Sequence, residues 1–297
     1  MDLILRCRQV PRAGETIHGD EFTTAPGGKG ANQAVACSRL GARTAMVGRV
    51  GDDEFGRILR AGLAAEAVDT RCVRTDPAAA TGVALILLEP SGDNRIIVVG
   101  GANLRVAEQD AADASALLRS ADAVLMQLEI PLDTVKAVAE AARELGVLSV
   151  LDAGAATPAA VEAGLPGLVD IVSPNETEAE VLTGIAVRDL EDARRAAVHL
   201  RDLGARHVVV KMGESGAFWS SAEGDQAFPA FPVSAVDSTA AGDAFTAALA
   251  VGLAGGLAMP EAIQRANAAG AIACLTLGAQ PSMPTAAAVD DFLHRQR

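Results

Sequence analysis

Residues 131–152, PLDTVKAVAEAARELGVLSVLD, place a helix and a strand in immediate succession. Pro131 stands at the first helical position. Val135, Val138, Ala139, Ala142 and Leu145 recur on one face at helical spacing, and Gly146 supplies the stop before the apolar run 147–152. Working outward, the same alternation continues. The segments 123–128, 170–173, 206–212 and 217–220 read as further strands with helical stretches between them. Strands alternating with helices in this way predict an α/β fold, a doubly wound, mostly parallel sheet with helices on both faces.

Towards the N-terminus the character changes. Residues 1–5 read as part of a strand, and the chain up to Thr24, with Pro11, Gly14 and Gly19, shows no helical period, so short strands and turns are expected there. A strand at 44–47 precedes GDDEFG at 51–56, which opens a helix running to about Val68 with its acids as a capping cluster. Residues 83–88 and 95–99 are β-rich runs joined by EPSGDN, the pattern of a hairpin. Segments 2–24 and 81–101 together would form a small β-sheet lid over a single domain spanning residues 1–297.

The chain has 297 residues, half of them apolar, enough for a large core. A net charge of −13 without Lys/Arg clusters argues against nucleic acid and anionic membranes as partners, so an anionic ligand needs a local site. Cys7, Cys37, Cys72 and Cys274 have neither metal-ligand nor disulfide-framework spacing, which suits a reduced, cytoplasmic protein. No secretory signal pattern opens the chain. The longest apolar stretch, residues 244–259, falls short of the ~20 residues that span a bilayer and reads as a buried helix. Tyr is absent and aromatic residues are few, which removes most stacking platforms for bases.

Chemistry concentrates in residues 236–245, VDSTAAGDAF. The stretch reads as a strand end, a tight small-residue turn and the first turn of an apolar helix. Ala240, Ala241 and Gly242 barely shield their amides, and a helix N-terminus carries about half a positive charge, so the turn suits an anion. Asp243 could simply complement the helix dipole. Next to an anion hole it could equally act as a base, the pairing that phosphoryl transfer to a hydroxyl needs. Residues 26–36, PGGKGANQAVA, are either a plain glycine connector or a ligand loop; no phosphate-binding P-loop spacing is present, and Asn32 and Gln33 favour a neutral, hydroxyl-rich ligand.

In parallel sheets ligands lie beyond the carboxyl ends of strands. Gln127 and Glu129, Asn175 and Glu178, residues 211–216, and residues 239–243 all fall at expected strand ends. Each has a plain alternative: Glu129 as a helix cap, Asn175 and Glu178 as a capping box, Lys211 as a solvated charge. Their shared edge favours a site.

Residues 27–36, 126–129, 174–180, 240–243 and 278–282, in that order along the chain, resemble the ribokinases of the PfkB carbohydrate kinase family, and the resemblance covers essentially residues 2–297. It implies a ribokinase-like domain, a lid that also forms a homodimer interface, and transfer of the γ-phosphoryl group of ATP to the 5-hydroxyl of D-ribose. By this likeness Asp2, Gly28, Lys29, Gly30, Ala31, Asn32 and Glu129 hold the sugar, with Asp243 as base and Ala240, Ala241 and Gly242 as the anion hole. Asn175, Lys211, Met212, Gly213, Glu214, Ser215, Gly216, Gly242 and Asn267 would hold the nucleotide, and Glu178 would organise Mg²⁺ through water. A K⁺ ion is expected at Asp237, Thr239, Ala273, Thr276, Gly278 and Ser282.

One departure stands out. Relatives begin with a further strand of about a dozen residues ending in a sugar-contacting Asn, and Met1 falls just after that position; a sheet without an inner strand would leave backbone groups unpaired and apolar side chains exposed. Two other functions fit the same residues. One is a related kinase for deoxyribose or another sugar. The second is a non-catalytic sugar or nucleotide sensor, against which Gly242 and Asp243 weigh, since a pure binder needs no base beside an anion hole.

Overall fold

A computed structural model describes residues 1–89 and 94–296, apart from the side chains of 94 and 113–115. The chain begins with β1 (Asp2–Arg6), β2 (Glu21–Ala25), α1 (Lys29–Arg39), β3 (Ala45–Gly51), α2 (Glu54–Ala65) and β4 (Asp69–Asp76). Next come β5 (Val83–Leu88), β6 (Asn94–Val99), α3 (Glu108–Leu118), β7 (Ala123–Gln127), α4 (Leu132–Leu145) and β8 (Leu148–Asp152). The middle of the chain holds α5 (Pro158–Glu162), β9 (Ile171–Ser173), α6 (Glu176–Thr183), α7 (Leu190–Asp202), β10 (His207–Lys211), β11 (Ala217–Ser221) and β12 (Gly224–Phe228). It closes with α8 (Ala241–Ala254), α9 (Met259–Ala273), α10 (Ala279–Ser282) and α11 (Ala286–Arg295).

The main sheet has the order β12-β11-β10-β9-β8-β7, parallel from β7 to β10 and antiparallel at β11 and β12. Successive strand residues point to opposite faces, and the core divides accordingly. Val150, Ile171 and Val209 pack with α1, α8, α9 and α11; Leu151, Val172, Val208 and Val210 pack with helices α4 to α7. Both faces being covered explains why these strands read as continuous apolar runs.

A second sheet, β2-β1-β5-β6, gathers the opening segment and the hairpin; the hairpin's connecting residues 90–93 lie outside the described residues. β3 and β4 pair in parallel as a two-stranded sheet, so β7 ends the main sheet. Val47 of β3 is 38% exposed, and α1 packs against both β7 and β3.

Several expected boundaries move. Pro131 is the N-cap residue of α4, one position before the first helical residue, while Gly146 stops the helix in the left-handed conformation (φ 69°). The apolar stretch 244–259 is not one helix: α8 ends at Ala254, Gly256 turns the chain at φ 86°, and α9 begins at Met259. Among the described residues no helix is long and apolar enough to cross a membrane. Residues 236–237 are not a strand end; their amides donate to the Cys274 carbonyl, and an irregular segment after β12 delivers the turn at 240.

Asp53 caps α2 as expected, and it also reaches across the fold. Its carboxylate accepts the Gly56 amide, the Thr81 amide and the Thr81 hydroxyl, which fixes the chain entering β5. Nearby, Arg49 of β3 donates to Asp76 and Asp110, and Arg105 donates to Asp76. The Ala78 amide and then the Arg105 guanidinium hold the buried Asp76 carboxyl down to about 2. A depressed folded-state pKa contributes stability above the unfolded value of about 4, and that contribution fades as pH falls towards the folded value. Urea midpoints measured from about pH 6 down to 2 should therefore fall, and less steeply in Asp76→Asn than in the parent.

Candidate active site

The bend before α8 is built from residues that leave the backbone bare. Ala240 adopts φ 59°, ψ 12°, a left-handed conformation that costs a residue with a Cβ about 1–2 kcal/mol. That strain turns the chain sharply enough for the helix to start at Ala241. The amides differ from expectation in one respect: the Ala241 N–H donates to the Ser238 carbonyl at 3.2 Å and is spent on the turn. The Ala240 and Gly242 amides have no partner among the described residues, and the turn itself is half-buried. Two donors thus remain for an anion.

Asp243 lies one position after Gly242 with 4% exposure, and side chains of α1 hold its carboxylate. Asn32 Nδ2 donates to Asp243 Oδ2 at 2.9 Å, and Gln33 Nε2 donates to Oδ1 at 3.0 Å. Burial pushes the Asp243 pKa up, the Asp152 carboxylate adds to that, and the Lys29 ammonium and the two amide donors pull against it; the net direction is upward. A carboxyl group raised in this way is a better proton acceptor at neutral pH than an exposed Asp.

Lys29 faces this cluster. Burial disfavours its charge, yet the carboxylates of Asp243, Asp152, Glu178 and Glu129 more than compensate and raise its pKa. Its chain lies flat on Gly154, where an added Cβ would sit 2.3 Å from Lys29 Cε. Glu129 and Asp2 are both raised, in each case first by burial. Gly27 is required by Asp2: a Cβ there would come within 2.1 Å of the carboxylate. Asn32 Oδ1 is buried with no protein partner, an acceptor free for a ligand hydroxyl. Gly28, at φ 96°, and Gly30 and Ala31 form the bare start of α1 around these groups.

Among the residues expected to hold the nucleotide, Asn175 and Glu178 form a capping box on α6, the plain reading of that motif, with Glu178 Oε2 taken by the Asn175 amide. Lys211 is not solvated: at 9% exposure it pairs with Asp152 at 3.2 Å, and its Nζ lies 3.8 Å from where a Cβ on Gly242 would stand. Residues Met212, Gly213, Glu214, Ser215 and Gly216 make a tight turn closed by the Met212 amide on the Gly216 carbonyl. Asn267 donates its amide to the carbonyls of Phe228 and Pro229, and the Phe228 carbonyl also abuts Gly216.

The expected K⁺ ligands come from two segments that Asp237 ties together. Its carboxylate accepts from the Thr239 amide and hydroxyl and from the Gly278 amide, and these bonds outweigh burial to lower its pKa. The buried Ser282 hydroxyl donates to the Ala279 carbonyl, and Arg39 anchors the carbonyls of Gln280 and Met283. The expected ligand atoms are all oxygens; Ala273 ends α9, and its carbonyl accepts the Thr276 amide at 3.4 Å. That chemistry fits a hard cation.

Two participants, Asp152 and Thr246, escaped the sequence reading, and Gln33 has other partners than the ligand expected for it. Asp152, 1% exposed at the end of β8, accepts from Gln33 Nε2, Thr246 Oγ1 and Lys211 Nζ. Gln33 faces no open pocket but bridges Asp152 and Asp243, and Thr246 is fully buried beneath them. Asp152 ends β8 as Lys211 ends β10, so the same strand-end argument applies to it.

Comparison with known proteins places these features in context. The description "pfkB family carbohydrate kinase" matches residues 1–286. The Haemophilus influenzae ribokinase is 38% identical over 98% of this chain and 95% of that protein. A Salmonella typhi deoxyribokinase is 33% identical over 99% and 95%. The structure of Arabidopsis thaliana ribokinase complexed with ribose and ATP superposes with a TM-score of 0.92 at 36% identity, covering 98% and 95% of the two chains.

The Lys211–Asp152 pair gives a stability test. Lys211→Met would leave a buried carboxylate without its cation, a loss of about 3–5 kcal/mol in urea unfolding at neutral pH. Adding Asp152→Asn should recover most of that loss.

Proposed function

The chain belongs to the pfkB family of carbohydrate kinases, and on that premise we propose that it phosphorylates D-ribose at the 5-hydroxyl with ATP. The observation that carries the reading is Asp243 held by Asn32 and Gln33, more than 200 residues away in sequence, beside the two free amides of Ala240 and Gly242. Greater identity to ribokinase (38%) than to deoxyribokinase (33%) favours ribose over deoxyribose.

Asp2, Glu129 and the start of α1, residues 28–32, surround the neutral sugar with carboxylates and amides that suit hydroxyl groups. Asp243 takes the proton of the attacking hydroxyl, and burial prepares it by raising its affinity for that proton. The amides of Ala240 and Gly242, with Lys29 and Lys211 close by, stabilise the charge on the transferring phosphoryl group. Asn175, the turn at 211–216 and Asn267 form the nucleotide side. When bound, Mg²⁺ neutralises phosphate charge, and Glu178, whose second oxygen is free of the capping box, is the residue that would hold it through water. The oxygen set around Asp237 would hold K⁺ and add positive field beneath the anion hole.

The small sheet β2-β1-β5-β6 acts in this reading as the lid, and as the interface of a homodimer. Its strand β6 exposes Ile96, Ile97, Val98 and Val99, each more than half exposed, with Phe22 on β2 (60%). Both alternating faces of this edge strand are therefore apolar and open, which a monomer in water does not favour. Ile97→Arg and Val98→Arg, measured by sedimentation, should each lower the assembly towards monomer; dimeric mass in both variants would remove the sheet from this role.

Asp243→Asn is expected to lower kcat for ribose by ~10²–10⁴ while leaving ATP binding near the parent value. Near-normal turnover would remove Asp243 as the base. A panel of ribose, deoxyribose and fructose with coupled ADP release tests the substrate, and ribose binding without ADP release would turn the reading towards a sensor.

A further inference from the structure

Asp152 is buried among donors rather than open to either substrate. Its Oδ2 accepts from Thr246 Oγ1 at 2.9 Å, Gln33 Nε2 at 3.0 Å and Lys211 Nζ at 3.2 Å, and its Oδ1 accepts the Gly154 amide at 3.1 Å. The Gln33 side chain cannot turn without loss, because its Oε1 accepts from Gln127 Nε2. Its single Nε2 therefore gives one hydrogen to Asp152 and one to Asp243. Moving Asp243 away from the turn would break a bond that Asp152 holds from below.

We propose that Asp152 is a positioning residue for this reaction: it fixes the base through Gln33, and through Thr246 and Lys211 it fixes the floor of the turn that receives the phosphoryl group. This rests on the assignment of Asp243 as base. Two features separate Asp152 from a carboxylate that merely fills the core. It is the only acceptor shared by the sugar-side helix α1, the phosphate-side helix α8 and the end of β10 among the hydrogen bonds of the described residues around Asp243. It also lies close enough to add its negative charge to the field at the base.

The groups acting on Asp243 are Lys29, Asn32 and Gln33 from α1, Glu129 after β7 and Asp152 from β8, and Asp152 in turn is paired with Lys211 of β10. Removing the Asp152 charge takes away a neighbour that raises the Asp243 pKa, so the acid limb of kcat/KM should move to lower pH. Removing the Gln33 donor takes away a bond that lowers it, so the limb should move to higher pH. A purely structural part for Asp152 predicts no such pair of opposite shifts.

The test is steady-state ribose kinetics between about pH 5 and 9 for the parent, Asp152→Asn, Gln33→Met and Asp243→Asn. The expected result is a kcat about 10- to 100-fold lower in Asp152→Asn, with its acid limb displaced downward and that of Gln33→Met displaced upward. If Asp243→Asn is inactive while Asp152→Asn and Gln33→Met keep the parent's acid limb, positioning by Asp152 is overturned, whatever their kcat. Near-normal turnover of Asp243→Asn would instead overturn the base assignment. Thermal melting checks folding, and should Asp152→Asn not fold, the double variant Asp152→Asn/Lys211→Met, which removes the buried pair together, carries the same test: a downward displacement of its acid limb supports the proposal and an unmoved limb overturns it.

Discussion

Two carboxylates placed a single amide apart in a nearly dry interior are the constraint on which the rest of this structure depends. Asp152 and Asp243 are 1% and 4% exposed, and both accept from the same Gln33 nitrogen. Burying like charges together is costly unless each is paired and hydrogen-bonded. Lys211 answers Asp152 directly, while Lys29, raised by four surrounding carboxylates, answers the cluster as a whole. The imbalance that remains falls on Asp243, and its direction is the one a base requires.

The same arrangement separates the two kinds of ligand. On the side of α1 and the small sheet the groups are carboxylates and amides: Asp2, Glu129, Asn32. They suit hydroxyl groups and would repel a phosphate. At the bend before α8 the groups are amide hydrogens and a lysine beneath Gly242, which suit phosphate and offer little to a neutral sugar. Asp243 stands between the two groups, hydrogen-bonded to Asn32 of α1 and one residue after Gly242, so under the proposed function the proton leaving the hydroxyl and the charge gathering on the phosphoryl group would be handled by different residues.

Much of the fold was legible because it is written in periodicity. The strand and helix around Gly146 and the apolar runs buried on both faces need only local patterns. Boundaries set by tertiary contact were not legible. Residues 236–237 look like a strand end, but their amides go to Cys274, a partner 37 residues further on; the apolar stretch 244–259 hides a turn that only Gly256's left-handed conformation reveals. In the site, Asp243 announced itself through the bare residues before it. Asp152 did not: it too ends an expected strand, but an acid there has many uses, and the three-way convergence of Gln33, Thr246 and Lys211 is what singles it out.

That convergence depends in turn on how closely α1 and α8 approach. An Asn side chain reaches only a short way from its backbone, so Asn32 can bond Asp243 at 2.9 Å only if the helices pack with little between them. The sequence supplies small residues on both: Ala31, Ala34 and Ala36 on α1, and Ala244, Ala247 and Ala248 on α8, all in or packed against one core cluster. Alanine also favours the helix at each position, so close packing and helix formation make the same demand on the sequence. Near each helix start polar side chains interrupt those alanines, Asn32 and Gln33 on α1 and Asp243 on α8, and these three join the two helices by hydrogen bonds. A site mounted on two packed helices rather than on loops holds its geometry without substrate, which is the condition preorganised electrostatic stabilisation requires.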